Sequence, residues 1–150
     1  MDYRTNVGLL LHKIGAMMNY QSDAVLFEHC GLGFSQFRIM LIIDMQPGAL
    51  QKNVAEKLGQ TEASISRQIK LLTSAGLVLI QKSKEDKKQH KLELTSRGKK
   101  LLSDAVQRLS LHYEPIIGEL GESARMKFAN ELAIVHDALE RAGFAIHKSK

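Results

Sequence analysis

The chain has 150 residues, of which 44% are hydrophobic, and a formal net charge of +5. A chain of this size can bury its own core without disulfide or metal support, so we expect one continuous domain over residues 1–150. The single cysteine, Cys30, excludes an internal disulfide, and the longest strongly apolar run, 37–45, is much shorter than the ~20 residues that span a bilayer. The N-terminus lacks a secretory pattern, and these features predict a cytoplasmic protein with no membrane segment.

The first third of the chain has apolar residues mostly at helical spacing. This spacing predicts a first helix over 7–29, with a weaker pattern around 20–23 and a stop at Gly31. Ser35 is the expected N-cap of a second helix, which runs to Met45 before a Pro-Gly turn.

Two helices separated by a tight turn are expected next. The first has an apolar face formed by Leu50, Val54 and Leu58. Gly59 is expected to end it, and Thr61 is the expected cap of the second, which runs to about Ser74. A buried stripe marks one face of this second helix: Ile65, Ile69 and Leu72.

A hairpin and two long helices complete the predicted order. Residues 78–81 and 92–94 have strand patterns, and the charged segment between them is the expected hairpin tip. Thr95 is expected to cap a helix that runs toward Ile117 and is kinked or interrupted near Pro115; a last helix covers about 123–141. The predicted fold class is mainly α with a small β-hairpin wing, that is, a winged helix-turn-helix flanked by N- and C-terminal helices.

The outer face of the helix from Thr61 to Ser74 has polar and cationic side chains suited to a DNA groove. Ser64 and Gln68 could bond base edges, while Arg67 could reach guanine or phosphate. Glu62 could accept a hydrogen bond from cytosine or orient Arg67. The predicted DNA-binding residues of this helix are Thr61, Glu62, Ser64, Ser66, Arg67, Gln68 and Lys70. The alternative for each of them is an ordinary solvated surface.

The segment around the hairpin accounts for the chain's net positive charge, and the rest of the chain is neutral overall. Between Lys82 and Lys100 there are eight Lys or Arg and three acidic residues, so this segment alone has a net charge of +5. A charge run is usually a solvated loop, but directly after a recognition helix it would lie against phosphates or the minor groove. The predicted wing contacts are Lys82, Lys84, Asp86, Lys87, Lys88 and Lys91.

The chain resembles the MarR family of bacterial and archaeal regulators over nearly its whole length. The segment Gly31–Phe37 is similar to the family's entry to its second helix, and Val54–Gly59 with Ser64–Arg67 is similar to its helix-turn-helix. The wing carries the strongest resemblance, from Asp86 to the end formed by Leu94, Thr95 and Gly98.

One wing position departs from the family pattern. Lys88 stands where the family usually has arginine. Because a flexible ammonium replaces a planar guanidinium, we expect Lys88 to contact phosphate rather than the minor groove. Asp86, which braces the wing in the family, can still pair with a nearby cation.

The resemblance implies a two-fold homodimer formed by the terminal helices. Residues of about 1–30 and 99–145 would form the dimer contacts, and about 32–98 would form the DNA-binding lobe. Such a dimer would bind a pseudo-palindrome with half-sites about 34 Å apart. The alternative is that the terminal helices complete a monomer core. The function implied is a sequence-specific double-stranded DNA-binding transcription regulator, a ligand-responsive repressor.

Some members of the family sense small molecules, oxidants or metal. Candidate liners of a pocket for a small aromatic or amphipathic ligand are Phe27, Phe34, Phe37, Met40 and His112, and core packing is the alternative for most of them. Cys30 lies at the expected C-terminal end of the first helix, where the helix dipole disfavours a thiolate, so an ordinary thiol is expected. The six histidines include no closely spaced ligand pair, so neither metal nor another cofactor is expected.

Two other classes of function are alternatives to DNA binding. An enzyme is not expected, because the sequence has no Gly-rich phosphate loop, nucleophile elbow or His/Glu metal signature. The stronger alternative is a winged-helix protein-interaction module without sequence-specific DNA binding.

Overall fold

The fold is described from a computed structural model for residues 5–82 and 90–147, with side chains described up to residue 143. Its elements in chain order are α1 (Val7–Cys30), α2 (Phe34–Met45), β1 (Ala49–Leu50), α3 (Gln51–Leu58), α4 (Glu62–Ser74), β2 (Val78–Lys82), β3 (His90–Leu94), α5 (Ser96–Gly118) and α6 (Glu122–His147). The predicted fold class, mainly helical with a small hairpin sheet, is confirmed.

The chain forms two compact units, Met1–Ser110 and Leu111–Lys150. The first holds the helix-turn-helix and the sheet, and the second holds the end of α5 with α6. The expected division into a DNA-binding lobe and dimerisation helices stays a prediction.

α1 is unbroken, although the apolar pattern weakens around 20–23. Its N-cap is Asn6, whose side chain accepts a hydrogen bond from the Leu9 amide, and Gly31 ends the helix as predicted. The Asp23 carboxylate accepts a 2.7 Å hydrogen bond from the Phe34 amide. This bond ties the middle of α1 to the first residue of α2.

α2 begins before the predicted cap. Ser35 lies inside the helix, and Gly33 is the N-cap instead. The side-chain oxygen of Gln36 accepts a hydrogen bond from the Gly33 amide at 3.0 Å. Because Asp23 and Gln36 occupy the amides of Phe34 and Gly33, the helix starts there without a serine cap.

The sheet has three antiparallel strands in the order β1-β3-β2. Val78 pairs with Leu94 at one end of the hairpin and Lys82 with His90 at the other, so the predicted hairpin is confirmed. β1 was not predicted; it adds Ala49 opposite Leu92 on the far edge of β3. A two-residue strand has no periodicity, so its sequence gives no signal.

All buried hydrophobic side chains of the described chain belong to the first unit. The predicted α4 stripe lies in this core, which also includes residues of α1, α2 and the sheet. Each large apolar side chain buried here contributes roughly 1.5–3 kcal/mol relative to exposure. The largest fully buried side chains are Leu26, Ile39, Met40, Ile43, Val54, Ile65, Ile69, Leu72, Val78 and Leu92.

The second unit is a helical hairpin with an ion pair at its turn. Pro115 lies inside α5 without interrupting it, and α6 extends to His147, beyond the predicted end near 141. The Arg125 guanidinium donates to both carboxylate oxygens of Glu114, at 3.0 and 3.1 Å. No described helix is long and apolar enough to cross a membrane.

Candidate nucleic-acid interface

The helix-turn-helix is closed by a left-handed glycine. Gly59 has φ 61°, and its amide bonds to the Glu56 carbonyl at 3.2 Å. The Gln60 amide bonds to the carbonyl of Ala55, a small residue buried between the helices. Since a side chain is strained at this φ, the turn depends on glycine at this position.

Several side chains fix the first turn of α4. The Thr61 hydroxyl accepts a 3.2 Å hydrogen bond from the Ser64 amide, which confirms the predicted cap. The Ser64 hydroxyl donates to the side-chain oxygen of Gln60 at 3.5 Å. From the start of α3, the Gln51 side chain donates to the Glu62 carbonyl at 3.4 Å. Hydrogen bonds from the turn and from α3 therefore fix the N-terminal end of α4.

The exposed face of α4 is a stripe of five residues, which we call the outward stripe. Its members are linked by steps of three or four residues along α4, so they share the face opposite the buried stripe. Leu71 is 57% exposed, although it is a large apolar residue in a helix with a buried core face. The outward stripe consists of Ala63, Arg67, Lys70, Leu71 and Ser74, all of which are exposed.

The predicted DNA contacts of α4 occupy different positions around the helix. Arg67, Lys70 and Glu62 are exposed, whereas three others are half-buried at the flanks: Ser64, Ser66 and Gln68. Within the described residues, no ion pair joins Glu62 to Arg67. No described contact therefore supports the predicted role of Glu62 in orienting Arg67. Ala63 and Leu71 were not predicted because only polar and cationic side chains were expected to contact DNA, and Ser74, the last residue of α4, was not among those expected.

The described part of the hairpin places two of the predicted wing lysines on opposite faces of the sheet. Lys91 is paired with Gln81, on the face that also has Glu93, while Lys82 is paired with His90 on the other face. Both lysines are exposed. On the first face, the Gln81 side chain donates to the Glu93 carboxylate at 3.1 Å. The other predicted wing residues, Lys84, Asp86, Lys87 and Lys88, lie outside the described residues.

Thr95 joins the base of the hairpin to the end of α4. Its amide bonds to the Leu77 carbonyl at 3.0 Å, and its hydroxyl donates to the Gly76 carbonyl at 2.7 Å. The same hydroxyl accepts from the Gly98 amide at 2.9 Å. A Cβ at Gly98 would overlap the Leu77 carbonyl oxygen, so only glycine permits this close approach of α5.

The candidate ligand residues differ in burial and belong to both units, and their role in a pocket stays a prediction. The Phe34 and Phe37 rings stack with centroids 6.1 Å apart. Phe37 and Met40 are buried in the core, and Phe27 is 71% exposed. His112 belongs to the second unit, where its ring packs edge-on against Tyr113. The ring contact between Phe34 and Phe37 is the one that joins two of the candidates directly in the first unit as described.

A small cleft in the first unit involves none of these residues. Its volume is about 60 Å³, well below the ~300 Å³ at which ligand pockets usually begin. It is lined by Ile43, Asp44, Pro47, Glu93, Leu94 and Lys99. A cleft of this size holds a few waters rather than an aromatic ligand.

Cys30 is half-buried against the core. Burial raises the pKa of its thiol, the Arg108 guanidinium lowers it, and the Asp104 carboxylate raises it. The net direction is upward, which favours the protonated, less nucleophilic form. Among the described residues, no three His, Cys, Asp or Glu side chains are grouped so that they could hold a metal ion.

These elements define a winged helix-turn-helix: a glycine-closed turn, a second helix with an exposed cationic stripe, and a hairpin fixed to that helix at its base. Residues 31–89 match the MarR family model. The matched residues cover the winged helix-turn-helix, and this match confirms the resemblance seen in the sequence. No curated protein sequence matches it.

Solved structures extend the likeness to most of the chain. A MarR transcriptional regulator from Methanosarcina mazei Go1 is similar with a TM-score of 0.78 and 21% identity, over 89% of this chain and 98% of that one. The transcriptional repressor CouR, bound to a 23-mer DNA duplex, gives a TM-score of 0.75 and 23% identity, over 91% and 98%. CouR from Rhodococcus jostii RHA1, bound to p-coumaroyl-CoA, gives a TM-score of 0.76 and 22% identity, over 96% of each chain. The chain therefore has the fold of MarR transcription regulators.

Proposed function

We propose that the protein is a sequence-specific double-stranded DNA-binding transcription regulator. The observation that carries the proposal is the outward stripe, on which Arg67 and Lys70 are exposed and have no ion-pair partner among the described residues. Unpaired cations on a helix whose first turn is rigidly held suit a major groove, where arginine bonds guanine and lysine neutralises phosphate. A regulator rather than an enzyme is the class that this face supports.

The protein acts as a homodimer in this proposal. α1, α5 and α6 expose large apolar side chains in the single chain, which is unusual for a stable monomer. A second copy would cover them and pair two α4 helices on a pseudo-palindromic operator. The most exposed of these side chains are Val7, Met17, Tyr20, Phe27, Leu111, Ile116, Met126, Ile134 and Leu139.

We propose that the protein represses transcription in the cytoplasm and that a ligand releases this repression. CouR is named as a transcriptional repressor and was solved with DNA and with p-coumaroyl-CoA. By analogy, a small aromatic or amphipathic ligand would bind near the stacked Phe34 and Phe37 rings and shift the population away from the DNA-binding state. A ligand that binds the protein with equal affinity in the presence and absence of DNA would contradict this role.

Selection of binding sites from random duplexes with the purified protein tests the function directly. We expect an enriched pseudo-palindrome with half-site centres about 34 Å apart, and binding that weakens linearly with salt on logarithmic axes. Measuring the salt slope on the enriched site and on a shuffled one separates base reading from phosphate contact. Enrichment of no site, with equal weak binding to both duplexes, would reject the proposal.

One observation favours the alternative, a protein-interaction module. Leu71 exposes apolar surface on the face that should enter the groove. An interaction module would bind random and selected duplexes alike, so the same experiment distinguishes the two functions.

A further inference from the structure

We propose that the outward stripe reads thymine methyl groups on both sides of a guanine. In each half-site, Arg67 would bond the guanine, and Ala63 and Leu71 would each contact the C5-methyl group of a thymine about two base pairs away on opposite sides. This inference rests on the proposed function and specifies the base pattern of that same site.

The spacing comes from the helix itself. Ala63, Arg67 and Leu71 are separated by four residues each, and all three are exposed on the same face of α4. A rise of about 1.5 Å per residue places neighbouring members about 6 Å apart along the axis. Base pairs are stacked about 3.4 Å apart, so a helix lying along the groove would address positions about two base pairs apart.

The chemistry comes from what the major groove offers. The thymine methyl is the apolar group displayed there, and guanine presents the O6 and N7 acceptors that fit arginine. The stripe has an alanine one turn before the arginine and a leucine one turn after it. This order matches a groove that presents a methyl group, the guanine acceptors and a second methyl group in turn. The flanking Ser64 and Gln68 are half-buried, so they reach less far than the outward stripe.

A protein partner fits the same stripe less well. Its centre is the Arg67 guanidinium, which would lose hydration in an apolar interface unless the partner supplied a carboxylate at that point. A groove supplies acceptors at the centre and methyl groups at the sides without such a requirement. The charge of the neighbouring segment, eight basic against three acidic residues over 82–100, also favours a polyanion.

The test uses the full-length protein and its selected operator. Each thymine is replaced in turn by deoxyuridine, which removes only the methyl group, and the dissociation constant is measured for each duplex. We expect a roughly fourfold loss of affinity at one thymine on each side of the guanine contacted by Arg67 and no loss at other thymines. Replacing that guanine by 7-deazaguanine, which lacks the N7 acceptor, identifies it through coupling to Arg67→Ala.

Variants assign each methyl group to its side chain. In Leu71→Ala, the deoxyuridine replacement on one side should cost nothing further, while the other side keeps its full effect; Ala63→Gly should give the reverse. Coupling of this kind is read from differences between duplexes, so a general loss of stability in a variant does not mimic it. Ala124→Gly, in the first turn of α6, is the matched control for glycine in an exposed helix start, and it should leave both effects unchanged.

The outcomes separate this inference from the proposed function. A selected palindrome whose affinity is unchanged by every deoxyuridine, or whose methyl effects persist in both variants, overturns the methyl reading and leaves DNA regulation intact. Failure to select any palindrome overturns the proposed function itself. Paired methyl effects that vanish selectively in Leu71→Ala and Ala63→Gly establish the inference.

Discussion

The two compact units of the chain differ in where they place their apolar residues. The first unit buries them: Ile69 is 1% exposed and Leu92 is fully covered. In the second unit, no hydrophobic side chain described up to residue 143 is fully buried, and Ile134 is 68% exposed. The first unit therefore has the core that a domain needs to fold, whereas the second gains by covering its surface with another molecule.

The largest effect should come from truncating the core of the first unit. Ile69→Ala should lower the free energy of unfolding by roughly 2–5 kcal/mol, because it removes buried surface and leaves a cavity. The matched variant Ile134→Ala should change the stability of the isolated chain by less than about 0.5 kcal/mol. Urea denaturation over a series of protein concentrations measures both, and similar losses would contradict the contrast between the units.

The same Ile134→Ala variant tests what covers the second unit. If a second copy covers α6, this variant should dissociate at a higher protein concentration than the unchanged protein, as measured by sedimentation equilibrium. A monomeric unchanged protein at micromolar concentration would show that the exposed helices do not form a dimer.

The junction at the hairpin base should be nearly as sensitive as the core. Gly98→Ala should cost about 3 kcal/mol, because the added methyl group would displace the Leu77 backbone rather than a flexible side chain. Gly15→Ala is the matched control: an added Cβ there meets nothing within 4 Å, so about 0.4–1 kcal/mol of stabilisation is expected. Thermal unfolding measures the melting temperature of both variants. Melting temperatures that shift in the same direction would contradict this prediction.

Variants on the DNA face should affect binding more than folding. Arg67→Ala should weaken the selected operator by roughly 1–3 kcal/mol and relax its base preference. Lys91→Ala should instead weaken all duplexes similarly and reduce the salt slope by about one. Fluorescence anisotropy on selected and shuffled duplexes distinguishes the two patterns; equal losses for Arg67→Ala on both duplexes would contradict base reading by α4.

The smallest effect should come from the ion pair at the turn of the second unit. Glu114→Gln removes the charge opposite Arg125, but the Glu114 side chain is 62% exposed and that of Arg125 is 36% exposed. Solvent screens such pairs, so we expect a loss of about 0.5 kcal/mol or less, which decreases further in high salt. A loss that is large and independent of salt would mean that this pair is buried in the assembled protein.

Local signals explain which parts of the fold the sequence predicts well. Gly59, Thr61 and the Ile65, Ile69, Leu72 stripe act within a few residues of chain, and the structure confirms all of them. The start of α2 was misplaced because its caps come from Asp23, eleven residues earlier, and from Gln36. Similarly, the strand β1 exists only through pairing with distant β3.

The elements that hold the candidate site were predicted from the sequence, but the exposure of their side chains was not. The helix and hairpin follow from periodicity, but exposure of each α4 side chain depends on tertiary packing. Chemical type alone therefore favoured Ser64 and Gln68, which are half-buried, over Ala63 and Leu71, which are exposed. Met40 is buried in the core, and its predicted place in a ligand pocket is untested, since a core methionine and a pocket methionine have the same sequence pattern.

The Thr95 junction also has a mechanical consequence. Residues 76, 77, 95 and 98 connect the end of α4, the hairpin and the start of α5 within one hydrogen-bonded cluster. These bonds couple the first turns of α5 to α4 and to the hairpin, so a rotation of α5 would carry both elements with it. If two chains form the proposed dimer, such a rotation of α5 would change the distance between their two winged helix-turn-helix lobes. The internal structure of each lobe would stay the same.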